Sequence, residues 1–164
     1  MPTESRAEPR PWREGLTHVL WRAHQAAQRR VQESLTGLGV TLTQLALAAN
    51  VQEHGPLSAA DLARALRVTP QTVTVAMNQL VELGWLTRRP HPVHKRVQLF
   101  ELTPGGTRGV DEGRALVAKA DARMTGALEG GDAEEFIGQL RRIVAELEGD
   151  DPPVAPLWPE RVTG

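Results

Sequence analysis

The chain contains no cysteine and no tyrosine, and aromatic residues make up only 4% of its 164 positions. The absence of cysteine excludes disulfides, thiolate catalysis, cysteine-ligated zinc and thiol redox sensing. Because aromatic residues are so few, leucine, valine and alanine must fill the core. No apolar run reaches the ~18 residues of a membrane span, and residues 1–13 lack the apolar segment of a signal peptide. We expect a cytoplasmic protein that does not cross a membrane.

Recognisable catalytic patterns are also missing from the sequence. It has no glycine-rich phosphate loop, no histidine-bearing metal helix and no arrangement of a nucleophile with a base. Five histidines are present, but His18 and His24 fall on different sides of one predicted helix. His91 and His94 have ligand-like spacing without a further ligand nearby. We therefore predict no catalytic residue, no metal site and no cofactor.

Charge is balanced overall but distributed unevenly along the chain. The formal net charge is −1, yet residues 56–104 carry +3 and residues 105–164 carry −5. Regional charge matters to a polyanion because salt screens charges beyond roughly 8–10 Å. The basic segment is therefore the candidate for contact with nucleic acid.

The basic segment also has a recognisable order of elements. Residues 57–66 predict a short helix capped by Ser58, and residues 70–83 predict a second helix that begins at Thr69-Pro70 and ends at Gly84. Two strands, 86–89 and 97–102, flank a loop. This order predicts a winged helix-turn-helix, in which one helix enters the DNA major groove.

Long amphipathic helices flank this segment on both sides. Apolar residues recur at three- and four-residue steps over 12–35, 107–128 and 133–148, and a further helix is predicted over 42–54. The outer helices are not needed to build a winged helix-turn-helix, and their apolar faces need a partner. We predict a mostly α fold with a small β-wing (α+β). Its regions are a flexible N-terminus (1–11), helical dimerisation segments (12–36 and 105–148), the winged helix-turn-helix (41–104) and an irregular tail (149–164).

The helix over 70–83 has two chemically different sides. Val73, Ala76, Met77 and Leu80 form one apolar stripe that faces the core. The other side carries amides, hydroxyls and one valine, and no lysine or arginine. Amide side chains pair with adenine, and methyl groups contact the thymine methyl. The predicted DNA-contacting residues of this helix are Thr69, Gln71, Thr72, Thr74, Val75, Asn78 and Gln79.

Because that face has no cation, the positive charges must come from Arg64, Arg67 and the wing over 88–98. Its predicted DNA-contacting residues are Arg88, Arg89, His94, Lys95 and Arg96. Two prolines stiffen the tip, and lysine or arginine there suits a narrow minor groove. Protonation of the wing histidines would add positive charge near phosphate, so DNA affinity is expected to rise as pH falls.

Together these motifs resemble the MarR family of bacterial winged-helix regulators over residues 12–148. The residues that carry the resemblance are Glu53-His54-Gly55-Pro56-Leu57-Ser58, Asp61-Leu62-Ala63, Val68-Thr69-Pro70-Gln71-Thr72-Val73-Thr74, Leu83-Gly84-Trp85-Leu86, Arg88-Arg89 and Leu102-Thr103-Pro104-Gly105-Gly106. The resemblance implies an obligate dimer of triangular shape. It also implies repression that a small aromatic or anionic effector relieves.

Two positions depart from the family pattern. Val75 stands where members usually have arginine, and His94 stands where they usually have aspartate before the basic pair of the wing. The first change removes a phosphate or guanine contact, and the second removes a carboxylate that would brace a wing arginine. We therefore expect an atypical operator or weakened DNA binding.

The sequence favours a homodimeric regulator that binds a pseudo-palindromic double-stranded operator. The alternative is a winged-helix protein-interaction module with weak or no specific DNA binding, which the amide-rich helix and the net negative charge favour. Trp12, Trp21 and His24 suggest a cleft beside the first helix, but no effector-binding residue is assigned.

Overall fold

The computed structural model describes residues 11–66, 68–128 and 132–149. A short 3₁₀ turn, Trp12–Glu14, precedes the first α-helix, and another, Thr36–Leu38, follows it. The regular elements are α1 (Leu16–Leu35), α2 (Leu42–His54), β1 (Leu57–Ser58), α3 (Ala59–Leu66), α4 (Pro70–Glu82), β2 (Leu86–Pro90), β3 (Gln98–Leu102), α5 (Pro104–Thr125) and α6 (Ala133–Glu148). The predicted fold class, mostly helical with a small antiparallel sheet, is confirmed.

Helix α2 forms the centre of the core. Every residue from Gln44 to Val51 is buried, so the helix is covered on all sides rather than along one stripe. Leu35 of α1, Leu80 of α4 and Val110 of α5 are all fully buried in the core that α2 joins. Side-chain packing against three neighbours, rather than the helix's own periodicity, therefore fixes its position.

The sheet contains a strand that the sequence did not predict. Its order is β1-β3-β2, with both pairs antiparallel, and Leu57 lies opposite Phe100. The expected helix over 57–66 therefore begins only at Ala59, because Leu57 and Ser58 pair with β3 instead. A two-residue strand shows no alternating pattern in a sequence, and only its partner reveals it.

The start of α3 has a more complete cap than expected. The backbone N–H and hydroxyl of Ser58 both donate to the Asp61 carboxylate, while the Asp61 N–H donates to the Ser58 oxygen. Aspartate thus fills the place that glutamate or glutamine takes in the usual reciprocal cap. The hydrogen bonds from Ser58 are the main reason that the pKa of Asp61 lies below its ordinary value.

The long helix α5 begins three residues before the predicted start at 107. Thr103 caps it by accepting from the Gly106 N–H, and Pro104 occupies the first helical position. Gly109 lies against Trp85, and a Cβ on Gly109 would come within 2.5 Å of the indole ring. Close contact between α5 and the winged segment therefore depends on glycine at this position.

The outer helices are less enclosed than the centre. The first predicted helix, over 12–35, starts instead at Leu16, after Gly15. Only Val31 and Leu35 of α1 are buried, and α6 has no buried residue. The predicted terminal segments, 1–11 and 149–164, lie outside the described residues except for Pro11 and Gly149.

Within the described residues, no single helix has the length and apolar composition needed to span a membrane. One bent pair, Leu16–Leu38 with Leu42–His54, meets both criteria together, at an angle of 69°. The second member of that pair is the buried central helix α2.

Candidate nucleic-acid interface

Helix α4 presents the two sides that its sequence predicts. Val73, Ala76, Met77 and Leu80 are buried, which confirms the apolar stripe. The predicted DNA-contacting residues of the helix lie on the open side or at its start. Thr69, Gln71, Thr72, Thr74, Val75 and Gln79 are exposed, and Asn78 is half-buried.

The start of α4 is held by hydroxyl groups. The Thr69 oxygen accepts from the Thr72 N–H at 3.2 Å, and the two threonine hydroxyls are 2.7 Å apart. The hydroxyl of Thr74 donates to the carbonyl of Pro70 at 2.7 Å. Because these hydroxyl groups already make hydrogen bonds within the chain, the threonines offer a ligand mainly their methyl groups and their remaining oxygen lone pairs.

The two arginines of β2 face opposite sides of the sheet, as alternating strand residues do. Arg88 reaches α4, where its guanidinium donates to the Asn78 side-chain oxygen at 2.8 Å. Arg89 pairs instead with Glu101 of β3, at 3.5 Å between Nε and Oε2. The structure thus joins Arg88 to the amide face of α4 and directs Arg89 toward an acidic partner.

The wing tip carries the remaining predicted cations. His94, Lys95 and Arg96 are all exposed. The tip is closed by His91, whose Nδ1 accepts from the backbone N–H groups of Val93 and His94 at 3.1 and 3.0 Å. The His91 and His94 rings lie 5.1 Å apart. Among the described residues, no three His, Asp or Glu side chains form a group suited to a metal ion.

A hydrogen-bonded chain, which the sequence interpretation missed, connects α2 to the exposed side of α4. Thr41 and Gln44 form a reciprocal cap at the start of α2, and Gln44 also donates to the Gln79 side-chain oxygen at 2.6 Å. The spacing Thr41-x-x-Gln44 is the sequence signature of such a cap, so the first half of the contact was detectable. The second half joins residues 35 positions apart.

Three hollows border α1, and two of them are lined by residues that the sequence singled out. A cleft of about 630 Å³ lies between α1 and the start of α2, and Trp21, Arg29 and Gln32 are among its lining residues. An apolar groove of about 790 Å³ lies between α1, α5 and α6, with Leu20, His24, Asp121 and Phe136 among its lining residues. Trp21 and His24, which the sequence suggested as neighbours in one cleft, therefore border different hollows.

Comparison with known proteins finds similarity to transcriptional regulators. A family model described as "MarR family" matches residues 38–97. The HTH-type transcriptional repressor Rv2887 of Mycobacterium tuberculosis is 28% identical over 128 residues, which span 78% of this chain and 92% of that protein. The HTH-type transcriptional repressor MdtR of Bacillus subtilis is 29% identical over 123 residues, 75% of this chain and 77% of that one.

Solved structures agree in fold. The crystal structure of Rv2887 has a TM-score of 0.65 at 27% identity, over 83% of this chain and 95% of that one. A mutant MarR from Escherichia coli complexed with operator DNA has a TM-score of 0.71 at 23% identity, over 82% and 94%. Bordetella bronchiseptica BpsR, whose DNA binding is regulated by 6-hydroxynicotinic acid, has a TM-score of 0.73 at 21% identity, over 87% and 100%. The chain is therefore similar to MarR family transcriptional regulators, in sequence over residues 38–97 and in overall fold.

Proposed function

We propose that this chain is a homodimeric, ligand-responsive repressor that reads a pseudo-palindromic double-stranded operator. Helix α4 enters the major groove, and the wing contacts the adjacent minor groove or backbone. The observation that carries the proposal is the contact between Arg88 and Asn78, which holds the basic wing beside the amide face of α4. Helix and wing thereby form one continuous surface of the kind that helix-turn-helix proteins use.

The exposed side of α4 contacts the base edges. Gln71 lies in its first turn, and Val75 is 52% exposed one turn further on. A valine methyl group suits the thymine methyl, whereas amides suit base edges. Because this side has no cation, phosphate attraction falls to Arg88, Lys95 and Arg96. Arg89 contributes less, since Glu101 offsets its charge.

The apolar groove between α1, α5 and α6 supports dimerisation. An isolated 16-residue helix without a buried residue is marginal in water, and α6 has that length and no buried residue. Its Phe136 and Val144 are 44% and 48% exposed. A second copy of the same helices would cover these faces and would set two α4 helices against successive grooves.

The cleft between α1 and α2 is our candidate effector site. Arg29 supplies a positive charge and Trp21 a 57% exposed indole ring, a combination that suits a small aromatic anion. BpsR, which shares this fold, is regulated by such a compound. The cleft also borders Thr41, whose cap leads through Gln44 to α4.

Two further predictions, location and the absence of catalysis, follow from this role. We propose a cytoplasmic location, and we assign no catalytic residue, because the relatives are named as transcriptional repressors. The predicted tuning of DNA affinity by the wing histidines also stays a proposal.

Measuring binding to duplex DNA from upstream of the chain's own gene, at several salt concentrations, tests the function. We expect affinity to fall steeply with salt, and Lys95→Ala or Arg96→Ala to reduce the slope of log affinity against log salt by about one each. Val93→Ala, an uncharged change at the same tip, is the matched control and should leave the slope unchanged. No detectable binding by the wild type at low salt would favour the protein-interaction module instead.

A further inference from the structure

Two amide side chains on the open side of α4 are held by residues outside that helix. The Asn78 oxygen accepts from Arg88 of the wing at 2.8 Å, and the Gln79 oxygen accepts from Gln44 of α2 at 2.6 Å. An amide group has one acceptor end and one donor end, and these two ends read different base edges. Which end is engaged within the protein therefore decides which end faces DNA.

The orientation of the Gln79 amide follows from a chain of donors and acceptors. The backbone N–H of Thr41 can only donate, and it lies 2.7 Å from the Gln44 side-chain oxygen. The other end of Gln44 is therefore its NH₂ group, which must find an acceptor. The atom of Gln79 at 2.6 Å is thus the carbonyl oxygen.

Burial makes this orientation firm. Gln44 is only 7% exposed, so water has little access to compete for its amide. Turning the amide over would place its NH₂ group against the Thr41 N–H, and these two donors would both lack an acceptor whichever way Gln79 turns. A buried unpaired polar group is costly, and two such groups oppose the reversal.

The orientation of Asn78 follows from its partner alone. A guanidinium has five N–H donors and no acceptor, so the Asn78 atom that meets Arg88 must be the carbonyl oxygen. Both side chains consequently keep their oxygens engaged within the protein and retain N–H groups for a ligand. Gln71 makes no side-chain hydrogen bond to another described residue.

We propose that Gln44 and Arg88 are positioning residues that make Asn78 and Gln79 donor-only readers of the major groove. Pairing with adenine needs both ends of an amide, whereas guanine offers two acceptors, N7 and O6. The operator should therefore carry guanine in preference to adenine at the base pairs that these two side chains contact. Gln71, which has both ends available, keeps the ordinary preference of an amide for adenine. This inference rests on the proposed DNA-binding function.

The decisive variant is Gln44→Glu. Glutamate at this position preserves the cap, because threonine with glutamate three residues later is a favoured pair. A carboxylate cannot donate, so the Gln79 amide must turn its NH₂ group toward it and direct its oxygen outward. We expect bases with an exocyclic amino donor, adenine or cytosine, to become favoured over guanine by about fivefold at the Gln79 base pair, the low end of one side-chain–base contact.

The experiment is selection and sequencing of bound duplexes from a randomised pool, with the full-length chain. Gln44→Glu should change the base preference at one position of each half-site, and adding Gln79→Ala to it should abolish the new preference. Arg88→Met should likewise add adenine at the Asn78 base pair. Its matched control, Arg88→Lys, keeps a donor beside the Asn78 oxygen and should retain guanine.

The outcomes separate the two levels of the proposal. A wild-type chain that selects no sequence overturns the proposed function and the inference together. A wild-type chain that selects an operator while Gln44→Glu and Arg88→Met leave every base preference unchanged overturns the inference alone. If Gln44→Glu fails to fold by circular dichroism, the Arg88→Met and Arg88→Lys pair decides by the same criterion.

Discussion

The winged segment and the outer helices satisfy their apolar surfaces in different ways. The winged segment packs around α2, and Leu45, Leu62, Met77 and Leu80 are almost completely buried within one chain. The outer region leaves Leu16, Trp21 and Phe136 about half exposed along its helices. The first region is a finished core, whereas the second has the open apolar surface of half an interface.

The two regions also differ in how their polar groups are used. Around α4, caps and side-chain bridges engage Thr69, Gln44 and Asn78. Asp121 borders the apolar groove between α1, α5 and α6, and partial loss of water around its carboxyl raises the pKa of that group. The polar groups around α4 are hydrogen-bonded within the chain, whereas the carboxyl in the open groove has an environment that a partner covering the groove would change.

The largest expected effect comes from truncating the finished core. Leu80→Ala removes a fully buried side chain and should lower the free energy of unfolding by about 2–5 kcal/mol. Urea denaturation followed by circular dichroism measures the change. Leu147→Ala, on the outer helix α6 and 78% exposed, is the control and should stay within about 0.5 kcal/mol. Equal losses of unfolding free energy in both variants would contradict the proposed difference between the two regions.

The next effect concerns the outer region and should appear in association. Phe136→Ala removes the aromatic side chain that α6 contributes to the groove, and it should weaken dimerisation by about 2 kcal/mol, roughly thirtyfold in the dissociation constant. Sedimentation equilibrium measures that constant. Gln139→Ala, a polar residue of the same helix that does not line the groove, is the matched control. If Phe136→Ala leaves the dissociation constant of the dimer unchanged, the interface lies elsewhere.

A smaller effect is expected at the cap of α3. Ser58→Ala removes the hydroxyl that Asp61 shares and should cost about 1 kcal/mol at pH 7. Because the folded pKa of Asp61 is lowered, its stabilisation is present above its unfolded pKa and is lost as pH falls through the folded value. Denaturation at pH 7 and at pH 3 should therefore show a smaller difference between Ser58→Ala and wild type at the lower pH. A pH-independent difference would mean that the carboxylate takes no part.

The smallest effect is expected at the groove carboxyl. The raised pKa of Asp121 means that the folded state favours its protonated form, so its contribution is present below the unfolded pKa and is lost as pH rises through the folded value. Asp121→Asn should remove this dependence and add up to about 0.5 kcal/mol of stability at pH 7. Unfolding free energies at pH 4 and pH 7 measure it. An identical pH slope in both proteins would show that the desolvation of Asp121 has no thermodynamic consequence.

Much of the α4 surface was predictable because it depends on local rules. Thr69-Pro70 marks the start of the helix, and the spacing of Val73, Met77 and Leu80 identifies its buried side. Sequence periodicity also separates Gln71 and Val75 onto the open side. The assignment of this surface to DNA contact remains a prediction.

The sequence by itself determined the caps, the helix periods and the concentration of positive charge between residues 56 and 104, because each follows from neighbours along the chain. Only the tertiary structure decided that Leu57 joins a strand, that Arg88 and Arg89 meet different partners, and that Gln44 reaches Gln79. These outcomes depend on contacts between residues distant in sequence, and no local propensity encodes them.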